Sequence, residues 1–404
     1  MTNDTTSAAI LGIGTARPEN RMSQDEAVGL AHEICCRSES ERRLVKVLYR
    51  KAGVKERATC VPHQIALKWY SDAMELVGAE AGLATASVSG GLSTAASAGG
   101  VLEGVEEIIG DEPSGPTYLG PSTAERMRIY AECAPDMAVD ASSKALADAG
   151  MKASEITHLV TVSCTGFFAP GLDLALINGL GLRPTVGRVF VGFMGCHGAI
   201  NGLRTAQAIA AADPRNKVLL CAVEICSLHY SFQWDPNRAV GNAVFADGSA
   251  ALVVAHQSVA KSDEGLKVAA TGSCYIPDSG DAMSWNIGDN GFEMYLSPRV
   301  PDLIMQNLRP WFETWLGEQG LKIEDIGSWA VHPGGPRVLT AVEDSLGLDR
   351  THTATSREVL AECGNMSSPT VLFILQRLRA AGAKMPCVAL GFGPGLAAEA
   401  ALFR

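Results

Sequence analysis

The sequence predicts an α/β fold made of two copies of one unit. Three observations carry this. Short apolar runs alternate with longer amphipathic stretches over most of the 404 residues, as strands and helices do when they layer around a sheet. The composition is that of a globular chain, with 47% hydrophobic residues, 19% charged residues and 42 glycines. Segments of the second half also follow one another in the order of those in the first, the mark of an internal repeat.

Taken in order, Ala8–Gly12 is an apolar run too short for a helix and closed by glycine, so it reads as a strand. Ser23–Val47 reads as a helix. Gly78–Gly100 is almost entirely Ala, Gly, Ser, Thr, Leu and Val; it reads as a loop or a surface helix and carries no chemistry. Ala124–Ala149 is a long helix, followed by strands at His158–Val162 and Arg188–Val191. Ile200–Ala211 is a helix, and Val218–Val223, Ala250–Ala255 and Lys267–Thr271 are apolar strands. Val300–Gln319 is a helix, Trp329–His332 a strand, Ser368–Ala381 a helix and Pro386–Gly391 a final strand.

The repeat aligns Ser7-Ala-Ala-Ile-Leu-Gly-Ile-Gly with Gly265-Leu-Lys-Val-Ala-Ala-Thr-Gly, and Glu155–Ser163 with Glu324–His332. A Gly-rich turn into a helix follows in each half, at Gly195-Cys-His-Gly-Ala and at Gly364-Asn-Met-Ser-Ser-Pro, and each helix leads to a strand. The halves are residues 1–258 and 259–404. Two units that each present a polar residue at such a turn point to a site at their shared interface.

Several classes are excluded. Net charge is −11, against a nucleic-acid binder. No apolar run reaches the length of about 18 residues that a membrane span needs. The N-terminus has no basic segment of a secretory signal, and the 11 cysteines show no CxxC and no regular framework. Reduced thiols in a cytoplasmic protein are therefore expected. The histidines lack metal-ligand spacing, so no metal is expected.

Three residues suit acyl chemistry. Cys196 lies where a strand ends and a helix begins; the helix dipole and free N–H groups there favour thiolate. The alternative is a small buried hydrophobe. His332 closes an apolar strand before Pro-Gly-Gly-Pro, at the end of the sheet where α/β sites gather; the alternative is a satisfied structural histidine. Asn365 takes in the second repeat the place of Cys196 in the first. Its amide donates to an oxyanion or caps a helix. A basic cluster, Arg42, Arg43, Lys46, Arg50, Lys51, Lys55 and Arg57 against Glu56 alone, is either a solvated face or a phosphate clamp.

The motifs Gly195-Cys-His-Gly-Ala, Trp329-Ala-Val-His-Pro-Gly-Gly-Pro, Gly364-Asn-Met-Ser-Ser-Pro and Gly391-Phe-Gly-Pro-Gly-Leu resemble those of type III polyketide synthases, the chalcone-synthase-like branch of the thiolase superfamily. The resemblance covers nearly the whole chain and is thinnest at 60–120. It implies a thiolase-like αβαβα layered fold, with the nucleophilic cysteine in the first half and the histidine and asparagine in the second. Cys196 would accept the starter acyl group. His332 would keep it ionised, and His332 with Asn365 would hold the malonyl thioester as it loses CO₂. Phe245 and Met294 fall on the gatekeeper positions, Met294 in place of the usual Phe. Cys164, Cys226 and His229 line the acyl cavity where chalcone-forming members carry Thr. Lys51, Lys55, Arg57 and Arg337 fall near the entrance for coenzyme A. Ser163-Cys-Thr-Gly-Phe-Phe-Ala-Pro-Gly and Trp285-Asn-Ile-Gly-Asp-Asn-Gly-Phe resemble bacterial members that make alkylresorcinols or alkylpyrones from fatty acyl starters. Acyl-CoA and malonyl-CoA are the implied substrates, with no bound cofactor. Ala169 lies on the family's interface loop, which implies a homodimer. The alternative is a ketoacyl synthase III-like enzyme that performs one condensation on a carrier protein.

Overall fold

A computed structural model describes residues 8–72, 120–259 and 266–404; the Gly78–Gly100 segment lies outside them. The strands are β1 (Ala8–Ala16), β2 (Arg21–Ser23), β3 (Glu56–Ala58), β4 (His158–Ser163), β5 (Gly187–Gly192), β6 (Lys217–Ile225), β7 (Asp247–His256), β8 (Leu266–Tyr275), β9 (Met283–Gly288), β10 (Gly291–Leu296), β11 (Ser328–Val331), β12 (Cys387–Gly393) and β13 (Ala397–Phe403). The main helices are α1 (Gln24–Ile34), α2 (Glu39–Lys51), α3 (Thr123–Asp148), α4 (Leu172–Leu180), α5 (Gly198–Ala212), α6 (Pro236–Val244), α7 (Val300–Glu318), α8 (Pro336–Leu346), α9 (Ala354–Cys363) and α10 (Thr370–Ala380). A further helical stretch occupies 63–72.

Nine strands form one sheet in the order β11-β12-β13-β8-β1-β7-β6-β4-β5. Outward from its middle, β8-β13-β12-β11 mirrors β1-β7-β6-β4. The pairing senses match as well. β4–β6 and β11–β12 are parallel, whereas β6–β7 and β12–β13 are antiparallel. The repeat read in the sequence is thus present in the topology. The halves join where β1 and β8 pair at Ala9↔Lys267 and Ile10↔Leu266.

Three apolar clusters separate the layers. The first packs α1, α2, α3 and α4 on one face of the first half-sheet, through Leu159, Leu219 and Val253. The second lies between the halves, where Ile200 and Leu203 of α5 meet Val371 and Phe373 of α10. The third packs α7 and α8 on the outer face of the second half-sheet, through Val388, Leu390 and Leu402. Helices, half-sheet, paired central helices, half-sheet, helices: this is the expected αβαβα order. Strands β4, β6, β7, β11 and β12 are buried on both faces, which is why they read as apolar runs in the sequence.

One expectation is corrected, and two elements were not foreseen. Ser23–Val47 is two helices, because Ser38 and Glu41 form a capping box that starts α2 afresh after a turn at Cys35–Arg37. The Ala-rich end of the chain, Ala397–Phe403, is a strand that sequence pattern did not mark. It pairs with β12 on one side and β8 on the other, so tertiary pairing overrides the helix propensity of alanine. The β9–β10 hairpin was also not expected.

Candidate active site

The position of Cys196 follows from the chain path. β5 ends at Gly192, and a single tight turn, Gly195–His197, precedes α5. Gly195 adopts φ +71°, and a Cβ there would collide with Cδ of Pro394. The turn that carries Cys196 is therefore wedged against the Gly-Phe-Gly-Pro-Gly segment of the other half. Cys164, just past β4, fixes the same turn: its Sγ accepts the Gly195 N–H at 3.0 Å and donates to the Gly195 carbonyl at 3.4 Å.

Cys196 is buried and lines a large cavity. Burial pushes its thiol up to about 11, while hydrogen bonds from Ser367 and Asn365 pull it down. The helix start by itself does not make a thiolate here; desolvation outweighs it.

His332 directly follows β11, with its N–H donating to the Leu390 carbonyl at 2.8 Å. It is 1% exposed. Neither ring nitrogen has a hydrogen-bond partner among the described residues, and burial pushes the imidazole down to about 3. A buried imidazole with both nitrogens free is not a satisfied structural histidine.

Asn365 is not a helix cap. It lies between α9 and α10, and Pro369 occupies the N-cap of α10. Its backbone pairs with the gatekeeper segment: its N–H donates to Val244 at 2.8 Å and its carbonyl accepts from Ala246 at 2.9 Å. Its side-chain Oδ1 accepts the Ser367 N–H at 2.8 Å, which leaves the amide N–H₂ group as donor. Ser367, held at φ +55°, lines the cavity beside Cys196. Its adjacency to Asn365 in the motif was the signal that could have marked it.

Phe245, Met294, Cys164, Cys226 and His229 all line the same cavity. His229 is fully engaged. Its Nε2–H donates to the Thr165 carbonyl at 2.7 Å, and its Nδ1 accepts the Phe292 N–H at 2.9 Å. The ring stacks on Phe292 at 4.3 Å and meets Trp285 edge-on at 5.4 Å. Burial pushes it down to about 3, so it is a neutral, rigid wall. Trp285, whose Nε1–H donates to the Cys164 carbonyl at 2.8 Å, and Phe292 complete that wall.

The basic cluster divides. Lys51, Lys55 and Arg337 are exposed. Gly53, at φ +76°, packs against Pro336, so the turn carrying the two lysines lies beside Arg337 and beside Gly334 at the cavity. Arg57 is a correction. It is buried, and its guanidinium donates to the Asn242, Phe245 and Ala243 carbonyls at 2.8, 2.9 and 2.7 Å and to Gln24. It holds the gatekeeper segment and is not placed to clamp a phosphate. Among the described residues no group of three or more His, Cys, Asp and Glu is arranged to hold a metal, and no helix is long and apolar enough to cross a membrane.

Comparison with known proteins gives a family. The models for the N-terminal and C-terminal domains of chalcone and stilbene synthases match residues 101–258 and 267–404. The alpha-pyrone synthesis polyketide synthase-like Pks18 of Mycobacterium tuberculosis is 39% identical over 285 residues, 69% of this chain and 72% of its own. The crystal structure of PKS-I from the brown alga Ectocarpus siliculosus superposes with a TM-score of 0.82 at 30% identity, covering 100% of both chains. The C-terminal type III polyketide synthase domain of Steely1, a type I/III hybrid from Dictyostelium, gives 0.79 at 25% identity over 98% of this chain and 99% of that one. The chain belongs to the chalcone and stilbene synthase family and is an acyltransferase of the type III polyketide synthase class.

Proposed function

We propose that this enzyme loads a fatty acyl group from CoA onto Cys196, extends it with several malonyl-CoA units and cyclises the product to an alkylresorcinol or alkylpyrone. In the first step the Cys196 sulfur attacks the thioester carbonyl, its proton passes to His332, and His332 returns that proton to the CoA sulfur as the C–S bond breaks, so CoA leaves as the thiol. Asn365, through its amide N–H₂ group, and neutral His332, through its ring N–H, then donate to the carbonyl oxygen of malonyl-CoA as its C–C bond breaks and CO₂ departs. The enolate so formed attacks the acyl-Cys196 thioester and frees the sulfur. The substrates carry their own activating thioesters, so this chemistry asks for no metal or prosthetic group. The eleven cysteines, all free thiols, fit a reducing, cytoplasmic setting.

The observation that favours a fatty starter is the lining of the cavity. Besides Cys226 it includes Met22, Ala27, Leu30, Val61, Ala66 and Trp69, apolar side chains that offer an alkyl chain about 0.8 kcal/mol per buried CH₂. Decanoyl-CoA should therefore outcompete acetyl- and coumaroyl-CoA, with mass spectrometry showing products lengthened by several C₂ units. Cys226→Phe should shift the preference to shorter starters. Preference of the wild type for coumaroyl-CoA, or products with a single C₂ unit, would overturn the reading.

Lys51, Lys55 and Arg337, all exposed, would receive the CoA phosphates. Lys51→Glu with Lys55→Glu should raise KM for an acyl-CoA about tenfold and leave KM for the matching pantetheine thioester near its original value. Equal effects on both substrates would make the lysines a solvated face.

We also propose a homodimer. β5 is the free edge of the sheet, yet it exposes Val189 and Phe190, the latter 51% accessible, close in sequence to exposed Phe167 and Leu174. An apolar, unpaired edge is an aggregation hazard unless covered. Sedimentation should show two chains, and Phe190→Lys should shift them toward one; a wild-type monomer would refute the dimer.

A further inference from the structure

Glu224 closes an otherwise apolar run in β6 and is fully buried. Its Oε2 accepts the backbone N–H groups of Cys164 at 2.9 Å and Thr165 at 3.0 Å, the Thr165 hydroxyl at 2.7 Å and the Ser163 hydroxyl at 3.3 Å. Its Oε1 accepts the Ser368 hydroxyl at 2.8 Å. No cation pairs with it among the described residues.

These donors belong to two loops, one from each half of the fold. Residues 163–165 end β4, and Cys164 clamps Gly195, the neighbour of the nucleophile. Ser368 belongs to the loop that carries Asn365 and Ser367, whose polar side chains pull the Cys196 thiol down against its burial. One carboxylate thus grips both pieces of the catalytic constellation. A buried carboxylate without a counter-ion is costly, and its charge stands against a thiolate at Cys196. Helping the nucleophile ionise therefore does not account for its presence. Holding geometry does, since a displacement of about 1 Å at a reacting centre costs on the order of 10²-fold in rate.

We propose that Glu224 is a positioning residue that fixes the nucleophile's turn of the first half against the Asn365 loop of the second, with Ser368 as its grip on that loop. This rests on the roles given above to Cys196 and Asn365.

Two rates separate the parts: acylation of Cys196 by decanoyl-CoA, followed by intact mass, and CO₂ release from malonyl-CoA. Ser368→Ala cuts only the grip on the Asn365 loop. CO₂ release should fall about tenfold or more while acylation stays within about twofold. A generally loosened fold would lower both together with the melting temperature. Glu224→Gln keeps an oxygen for the four Oε2 donors and turns an N–H₂ toward the Ser368 oxygen, so it should retain both rates within a few-fold, whereas Glu224→Ala should lose both. Unchanged CO₂ release in Ser368→Ala, or a Glu224→Gln variant as impaired as Glu224→Ala, overturns the proposal. If Glu224→Ala does not fold, the other two variants decide, with Glu224→Gln then required to keep both rates. A wild type that neither acylates Cys196 nor releases CO₂ instead refutes the underlying roles, and the proposal falls with them.

Discussion

Cys196→Ala should abolish acyl loading: after exposure to decanoyl-CoA, intact-mass analysis should show one adduct on the wild type and none on the variant. Cys164 and Cys226 line the same cavity, but their thiols are held well above the ordinary range by burial and by the negative charge of Glu224, and the Cys164 sulfur is engaged with the Gly195 peptide. An adduct that persists and maps to Cys164 would reverse the assignment. The imidazole partner can be tested in the same assay. Burial pushes Cys196 up to about 11 and His332 down to about 3, so neither carries charge cheaply alone. As an ion pair each would supply the other's counter-charge and relieve both costs. His332→Gln removes the cation, so the pH midpoint for alkylation of Cys196 by iodoacetamide should move up from that of the wild type. Identical midpoints would show that His332 does not support the thiolate.

Asn365→Ala has the second-largest expected effect. The variant should still acylate, but CO₂ release from malonyl-CoA should fall by about 10²–10³, the usual cost of one oxyanion donor. Loss of the side chain also frees the Ser367 N–H that Oδ1 accepts. The melting temperature should accordingly drop somewhat, and the two effects are separated by measuring loading on the folded variant. CO₂ release at the wild-type rate would reduce Asn365 to a structural role.

What the sequence revealed and what it hid have physical causes. The duplicated halves were legible because each strand buried on both faces must be apolar throughout, and because the turns at Cys196 and Asn365 need Gly-rich chemistry in both copies. The candidate residues Cys196, His332 and Asn365 were legible for the same reason. Arg57 was not: its run of basic neighbours suggests a surface, while its partners are carbonyls near residue 243, distant in sequence and supplied only by the fold. The break between α1 and α2 was written in Ser38 and Glu41, but amphipathic periodicity continues across it. Glu224 was visible as a lone acid at the end of an apolar run; its donors, from residues 163–165 and 368, were not. His229 was expected to line the cavity, and its stacking on Phe292 and bonds to Thr165 and Phe292 show that it is fixed in place.

The backbone ladder between Phe245 and Asn365 also bears on how such an enzyme can diverge. The Phe245 side chain projects from an isolated β-bridge whose two hydrogen bonds both belong to Asn365, the Asn365 N–H donating to Val244 and the Asn365 carbonyl accepting from Ala246. Point changes at position 245 alter the doorway and leave that ladder in place, so substrate preference can drift one side chain at a time. An insertion or deletion within 241–246 would slip the ladder and carry Asn365 off its mark. Natural variation in this segment should therefore be of residue type at constant length.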